Sequence, residues 1–319
     1  MKKSMPWLLS LFAIAALTTF TACDDDDDDV QQPSTIVDFA QESDDYTLLA
    51  EAVVAAGLDG TLSEAGPYTV FAPDNAAFEA LLASNAAWSS IDDIPTDVLV
   101  AVLTNHVLAD DLSSADLTTG YYSTLSATDF GSATTSLYIN LDNGVTINGG
   151  PTVETADVDV SNGVIHGIDA VIGLPTIVTH ATANPELATL VAALTQEGLG
   201  TDFVATLSGE GPFTVFAPTN EAFQNLLDSN DDWTTLSDIP SDVLASVLSY
   251  HVTTAGNVRA ADIQQGMMVS TLAGESFTID LGGENPTINA GANTANIIAT
   301  DIQATNGVVH VIDEVLLFE

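Results

Sequence analysis

The chain has 319 residues, 46% of them hydrophobic, and carries 45 Asp and Glu against 3 Lys and Arg. That length and apolar content suit two ordinary folded domains and exclude a disordered polymer, while so few cations exclude a basic groove for nucleic acid. With Cys23 as the one cysteine, no intramolecular disulfide can form and the fold must rest on its cores.

Two of the three bases, Lys2 and Lys3, open the stretch MKKSMPWLLSLFAIAALTTFTAC, in which an apolar run from Trp7 to Leu17 leads through small residues to Cys23. The run is shorter than the roughly 20 residues that a bilayer-spanning helix needs. Residues 1–22 therefore read as an export signal, and FTAC resembles the lipobox of bacterial lipoproteins, which makes Cys23 the lipid-bearing first residue of the mature chain. Six aspartates follow, Asp24 to Asp29. They repel one another and bury nothing, so residues 23–33 read as a solvated tether. No glycine provides the turn that would aim those carboxylates at a calcium ion. Acidic runs in this place resemble the surface-export signals of Bacteroidota-type lipoproteins, which implies an exported protein on the outer face of the outer membrane. In other diderm bacteria an aspartate there implies retention at the inner membrane.

The remaining sequence is written twice. GPYTVFAPDN at Gly66 returns as GPFTVFAPTN at Gly211, DIPTDVL at Asp93 as DIPSDVL at Asp238, and NGVIHGIDAVI at Asn162 as NGVVHVIDEVL at Asn306. TIVDFA at Thr35 answers TIVTHA at Thr176, and Trp88 answers Trp233. A period near 140 residues is a domain, not a solenoid unit. Two tandem domains follow, 34–174 and 175–319, joined by GLPTIV, which is too short for a flexible linker.

Within a copy, Leu187, Leu190, Val191 and Leu194 recur at helical spacing and predict a helix capped at Gly198; Leu49, Val53 and Gly57 predict the same in the first copy. Phe213 to Phe216 predict a short buried strand. Thr219, or Asp74 in the first copy, then caps a helix whose apolar stripe is Phe223, Leu226 and Leu227, or Phe78, Leu81 and Leu82. A further helix after Pro240 aligns Leu244, Val247, Leu248 and His251, as Leu99, Val102, Leu103 and His106 align in the first copy. Short β-rich stretches such as SFTIDL and GVVHVIDEVLLF come late. Early helices and late strands predict an α+β domain.

FTVFAPTNEAFQNL, LSYHV and NGVVHVIDEVLL closely resemble the three motifs of fasciclin (FAS1) domains, and YTVFAPDNAAFEAL, LTNHV and NGVIHGIDAVI repeat them in the same order. The resemblance covers nearly all of Ser34 to Glu319. It implies two wedge-shaped β-sandwiches flanked by short helices, and a non-catalytic role in adhesion or binding to extracellular matrix, polysaccharide or cell-surface protein. The Tyr-His pair that the family links to adhesion is Tyr250 and His251 in the second copy but Asn105 and His106 in the first. The candidate adhesion region is therefore confined to the second domain.

The residues themselves point to no chemistry. His106, His166, His251 and His310 fall in repeat pairs on apolar stripes, which predicts packed, hydrogen-bonded imidazoles. His180 takes the slot of Phe39, and no pair has HxH or HExxH spacing, so no metal site is predicted. DVDVSNG, Asp157 to Gly163, has its glycine one place late for a calcium loop and reads as strand and turn. No nucleophile elbow and no phosphate-cradling loop that would imply a cofactor is present. An extracellular hydrolase of polymers or esters, or a small-ligand carrier, on the same fold stands as the alternative. The mature chain sets 45 acidic residues against Arg259, a formal charge of −44. Such self-repulsion is screened within about 3 Å at 1 M salt, against about 10 Å at 0.1 M, so a saline habitat is expected. Weak association with divalent cations is the other use of so many carboxylates.

Overall fold

The computed structural model describes residues 34–283 and 285–318. The expected export signal, Cys23 and the acidic tether lie outside them. One order of elements runs twice through the described residues. The first copy comprises helices α1 (Ile36–Glu42), α2 (Thr47–Ala55) and α3 (Asp59–Leu62), strand β1 (Tyr68–Pro73), helices α4 (Asn75–Ser84) and α5 (Thr96–Asn105), and strands β2 (Val107–Leu108), β3 (Gly120–Ala127), β4 (Thr134–Asn140), β5 (Thr146–Ile147), β6 (Val153–Val160) and β7 (Gly163–Ile168). The second comprises α6 (Ile177–Ala183), α7 (Ala188–Leu194), α8 (Phe203–Leu207), β8 (Phe213–Pro218), α9 (Asn220–Asp228), α10 (Ser241–Tyr250), β9 (Val252–Thr253), β10 (Met267–Ser270), β11 (Ser276–Asp280), β12 (Thr287–Asn289), β13 (Thr294–Ala304) and β14 (Gly307–Ile312).

The strands lie in the order β5-β4-β3-β2-β1-β7-β6 in the first copy and β10-β11-β12-β13-β14-β8-β9 in the second. Each sheet is built around one parallel pair, β1 with β7 and β8 with β14. Because successive side chains on a strand point to opposite faces, this pair feeds two cores. Val215 and Val309 pack with Phe223 and Leu244 under the helices, while Phe216 and Ile312, an odd number of residues further on, pack with Phe277 and Ile279 inside the sandwich. Val70 and Phe71 divide in the same way in the first copy. The expected α+β sandwich with flanking helices is what forms.

The repeated phrases are the two halves of one joint. A Cβ on Gly66 would lie 2.1 Å from the carbonyl oxygen of Asn162, and one on Gly211 would lie 1.9 Å from that of Asn306. Backbone therefore packs directly on backbone where the parallel pair begins, and only glycine fits. The asparagine of each NG then fastens the helices: Asn162 Oδ1 accepts from Ile36 N at 3.0 Å, and its Nδ2 donates to Leu62 O at 2.7 Å and Glu64 O at 2.9 Å. Asn306 repeats all three bonds with Ile177, Leu207 and Gly209. The predicted caps are present, with Asp74 accepting from Ala77 N at 2.7 Å and Thr219 from Ala222 N at 3.2 Å.

Two readings need correction. The helix expected to close at Gly198 ends at Leu194, and Gly198, with φ +87°, turns the chain toward α8 instead. The connection is longer here than in the first copy, where Gly57 does follow the helix directly. The opening helices α1 and α6 were not predicted. They are only 7 residues long, and their sole local signal is a capping threonine, Thr35 or Thr176.

The copies pack against each other. Gln303 N on β13 donates to Ser136 Oγ on β4 at 3.0 Å, and Tyr121 Oη on β3 donates to His180 O on α6 at 3.3 Å. The Tyr121 ring meets His180 edge-on at 5.6 Å and Tyr138 at 4.8 Å. The second copy thus lies on the outer β3–β4 hairpin of the first.

Candidate functional site

Tyr250 ends helix α10 and His251 is its C-cap, where the chain turns into β9. Both are buried, at 1% and 3% exposure, as the apolar stripe predicted for His251, so neither side chain itself presents a contact surface. The cause is the apolar period of α10, which carries Val247 and Leu248 into the core and takes the two residues after Ser249 with them. The Tyr250 hydroxyl lies 3.0 Å from Ala290 O and 3.2 Å from Ser276 O, and its ring packs edge-on against Phe277 at 5.7 Å and Phe318 at 5.2 Å. It therefore braces the start of β11 from inside. Asn105 does the corresponding work in the first copy, where its Oδ1 accepts from Thr135 Oγ1 on β4 at 2.6 Å.

The five histidines form three sets. A carbonyl can only accept, so His251 Nδ1, 2.7 Å from Val247 O, carries the proton, and Nε2 accepts from Leu316 N at 2.8 Å. His106 holds Val102 O and Ile172 N in the same way. Each joins the end of its helix to the segment after the last strand. His310 has the opposite tautomer, with Nε2 donating to Val258 O at 2.8 Å and Nδ1 accepting from Asp301 N at 3.3 Å; His166 repeats this with Leu112 O and Asp157 N. Asp157 and Asp301 stand at φ 60° and 59° within their strands, an uncommon conformation for a residue with a Cβ. Their carboxylates anchor the preceding loops, to Ser114 N at 2.6 Å and Ala260 N at 2.7 Å. DVDVSNG is thus strand and turn, as expected.

His180 stands apart. Its Nε2 donates to Gln303 O at 3.1 Å, and its Nδ1 finds no partner among the described residues. Burial pushes His106, His180 and His251 down to about 4, so all three are neutral at pH 7 and act as hydrogen-bonded packing groups. Among the described residues no group of three or more His, Cys, Asp or Glu could hold a metal ion.

One surface feature among the described residues distinguishes the copies clearly. Of the large hydrophobic side chains exposed among the described residues, Val54 is in the first copy, and Val243, Met268, Leu272, Leu281 and Ile298 are in the second. Met268, Leu272 and Leu281, at 69%, 43% and 40% exposure, lie along the β10–β11 hairpin, on β10, in its turn and just past β11. This hairpin is the counterpart of β3–β4: Val269 faces Phe277 as Tyr122 faces Leu137, which puts Met268 where Tyr121 stands. The counterpart of the surface that the second copy covers on the first is uncovered on the second, and Met268 is its exposed apolar side chain. Sequence reasoning missed it, although the exposed Met268 within an alternating strand was a readable signal.

A fold of two such sandwiches, with helices fastened by a buried Asn-Gly, defines a fasciclin-type domain pair. The family model described as "Fasciclin domain" matches residues 44–175 and 185–318, and the chain belongs to that family. It is 41% identical over 170 residues to Protein sll1483 of Synechocystis, a match spanning 53% of this chain and 88% of that one. It is 31% identical over 267 residues to transforming growth factor-beta-induced protein ig-h3 of Sus scrofa and 30% identical over 266 residues to human periostin. Those matches span 79% of this chain but only 35% and 28% of the relatives, which are much longer proteins. Among solved structures, a FAS1 domain pair from the insect cell adhesion molecule fasciclin I matches with a TM-score of 0.51 at 23% identity, covering 84% of this chain and 95% of that one. No helix among the described residues is long and apolar enough to cross a membrane.

Proposed function

We propose that the chain is a non-catalytic adhesion lipoprotein, held at the cell surface through Cys23 and contacting a matrix or cell-surface protein through the β10–β11 hairpin of its second domain. The observation that supports this reading is the uncovered apolar hairpin, whose counterpart in the first domain packs against a protein surface. Fasciclin I, an insect cell adhesion molecule, is consistent with it. Tyr250 and His251 serve this surface from within: Tyr250 holds the start of β11, and His251 ties α10 to the C-terminal segment. A protein partner is favoured over a polysaccharide because Met268, Leu272 and Leu281 offer apolar area and few hydrogen bonds.

The test is capture of extracted cell-surface proteins and matrix polysaccharides in high salt, with the parent protein and a Met268→Ser, Leu272→Ser, Leu281→Ser variant. Capture of protein by the parent, and at least tenfold less by the variant at an unchanged melting temperature, is expected. Equal capture by both would refute the assignment of the surface. In parallel, Cys23→Ala protein should leave the membrane fraction, and its retention there would refute the lipid anchor.

A further inference from the structure

Under the helices of the second domain lies a cavity of about 130 Å³ that opens to the surface between α6, α7 and α8. The same three elements of the first domain enclose about 20 Å³. The sequence difference that accompanies this is local: Leu207 comes nine positions after Gly198, whereas Leu62 comes five after Gly57. The four extra residues fall before Val204, which lines the opening and, counting back from Leu207 and Leu62, stands where the first domain has Asp59. We propose that this cavity is a binding site for a neutral apolar molecule of about one six-membered ring, or for a branched alkyl group of that size at the end of a longer ligand.

The lining sets the chemistry. Ala181, Val191, Leu194 and Leu248 present hydrocarbon, and no charged side chain contributes. The polar members have no donor to spare. Thr182 and Thr195 turn their hydroxyls onto Val178 O and Val191 O of their own helices, both at 2.9 Å. His251 uses both ring nitrogens on backbone groups, Val247 O and Leu316 N. A water molecule inside needs two to four polar partners and would find only the lone pairs of two threonine hydroxyls at the rim. A ligand hydroxyl or carboxylate would likewise lose its hydrogen bonds, and anions are repelled further by a chain with 45 acidic residues.

The size sets the ligand. Engineered apolar cavities of about 150 Å³ stay dry and take up benzene. A void left empty lowers stability in proportion to its volume, so filling it is favourable. The way in is open: Val178, Val191, Leu194 and Val204 are half-buried at the mouth, and Thr182 and Thr195 are exposed at its rim. Ala181 by contrast is buried at 7% exposure and reaches the cavity from α6. This site is separate from the β10–β11 hairpin, so the adhesion reading and this one stand or fall independently.

The probe is benzene. Buffer saturated with benzene should raise the melting temperature of the second domain by several degrees and leave that of the first unchanged. Methyl resonances of Ala181, Val191 and Leu194 should shift with saturation, and those of Ala40, Ala50 and Val53 should not. Ala181→Leu fills the cavity from its buried wall and should abolish both effects. Thr195→Trp blocks the rim from the exposed side without entering the core and should slow or abolish uptake, which keeps the test valid if the Ala181 variant does not fold. Hexylbenzene should bind at least as tightly as benzene if the ring lodges inside while the chain leaves through the mouth; much weaker binding restricts the site to free single-ring molecules. No shift with benzene, an equal shift in the first domain, or shifts confined to the β10–β11 hairpin would overturn the proposal.

Discussion

The two domains share their joints and differ at their free surfaces. Both use a glycine pair and a buried asparagine to start the parallel strands, and both use one histidine tautomer at the helix end and the other within the last strand. They part company at three places: the outer hairpin, covered in the first domain and bare in the second; the helix-end residue that braces it, Asn105 or Tyr250; and the cavity under the helices. What recurs is what the fold needs in order to close. What diverges is where the molecule can meet something else.

Acid should separate the two domains most strongly. Buried neutral histidines refuse protons that the unfolded chain accepts, so stability falls as pH drops from 6.5 toward the depressed value of about 4 for His106, His180 and His251. Each can cost up to about 3 kcal/mol over that window. The first domain holds one of the three and the second holds two, and His310, also lowered by burial, acts in the same direction in the second. Denaturant unfolding at pH 7 and pH 4, in 1 M salt to screen the carboxylates, should show the second domain losing about twice as much. His180→Phe, which copies Phe39, should bring the two closer; equal acid losses in the parent would break the comparison.

The joint comes next. Gly211→Ala forces a Cβ onto the Asn306 carbonyl, and Gly66→Ala does the same at Asn162. Each should destabilise its own domain by about 3 kcal/mol while leaving the other nearly unchanged. Loss of both domains with either substitution would mean that the copies share one folding unit, and the division at 174/175 would fail. Tyr250→Phe should have a smaller effect, about 1 kcal/mol for the hydrogen bond to Ala290 and Ser276, with faster amide exchange confined to β11 and β12. The smallest effect is that of salt: melting temperatures of both domains should rise between 0.1 and 1 M sodium chloride as screening shortens from about 10 to about 3 Å. A flat response would remove the argument for a saline habitat.

Much of this architecture was legible in the sequence because its signals are local. The caps at Asp74 and Thr219, the stripes of α9 and α10 and the strand-to-helix corner follow from spacing and turn chemistry alone, and the histidines were recognisable as core residues from the apolar stripes they continue. What could not be read depends on contacts between distant segments. Tyr250 looks available at the end of a helix until Phe277 and Phe318 close over it. The bareness of Met268 acquires meaning only when Tyr121 is seen under the other domain, and the cavity arises from a few added residues between α7 and α8 whose consequence is purely three-dimensional. The short helices α1 and α6 carry too few residues for a period to show.

The most direct test of the bare hairpin as the contact surface uses a single thiol. In Cys23→Ala protein, Met268→Cys should react rapidly with a bulky maleimide and Tyr121→Cys slowly, since one side chain is exposed and the other is held against His180. Labelled Met268→Cys protein should then fail to attach to cell-surface protein, and attached protein should resist labelling. If labelled protein attaches as well as unlabelled, the β10–β11 hairpin is not where this molecule adheres.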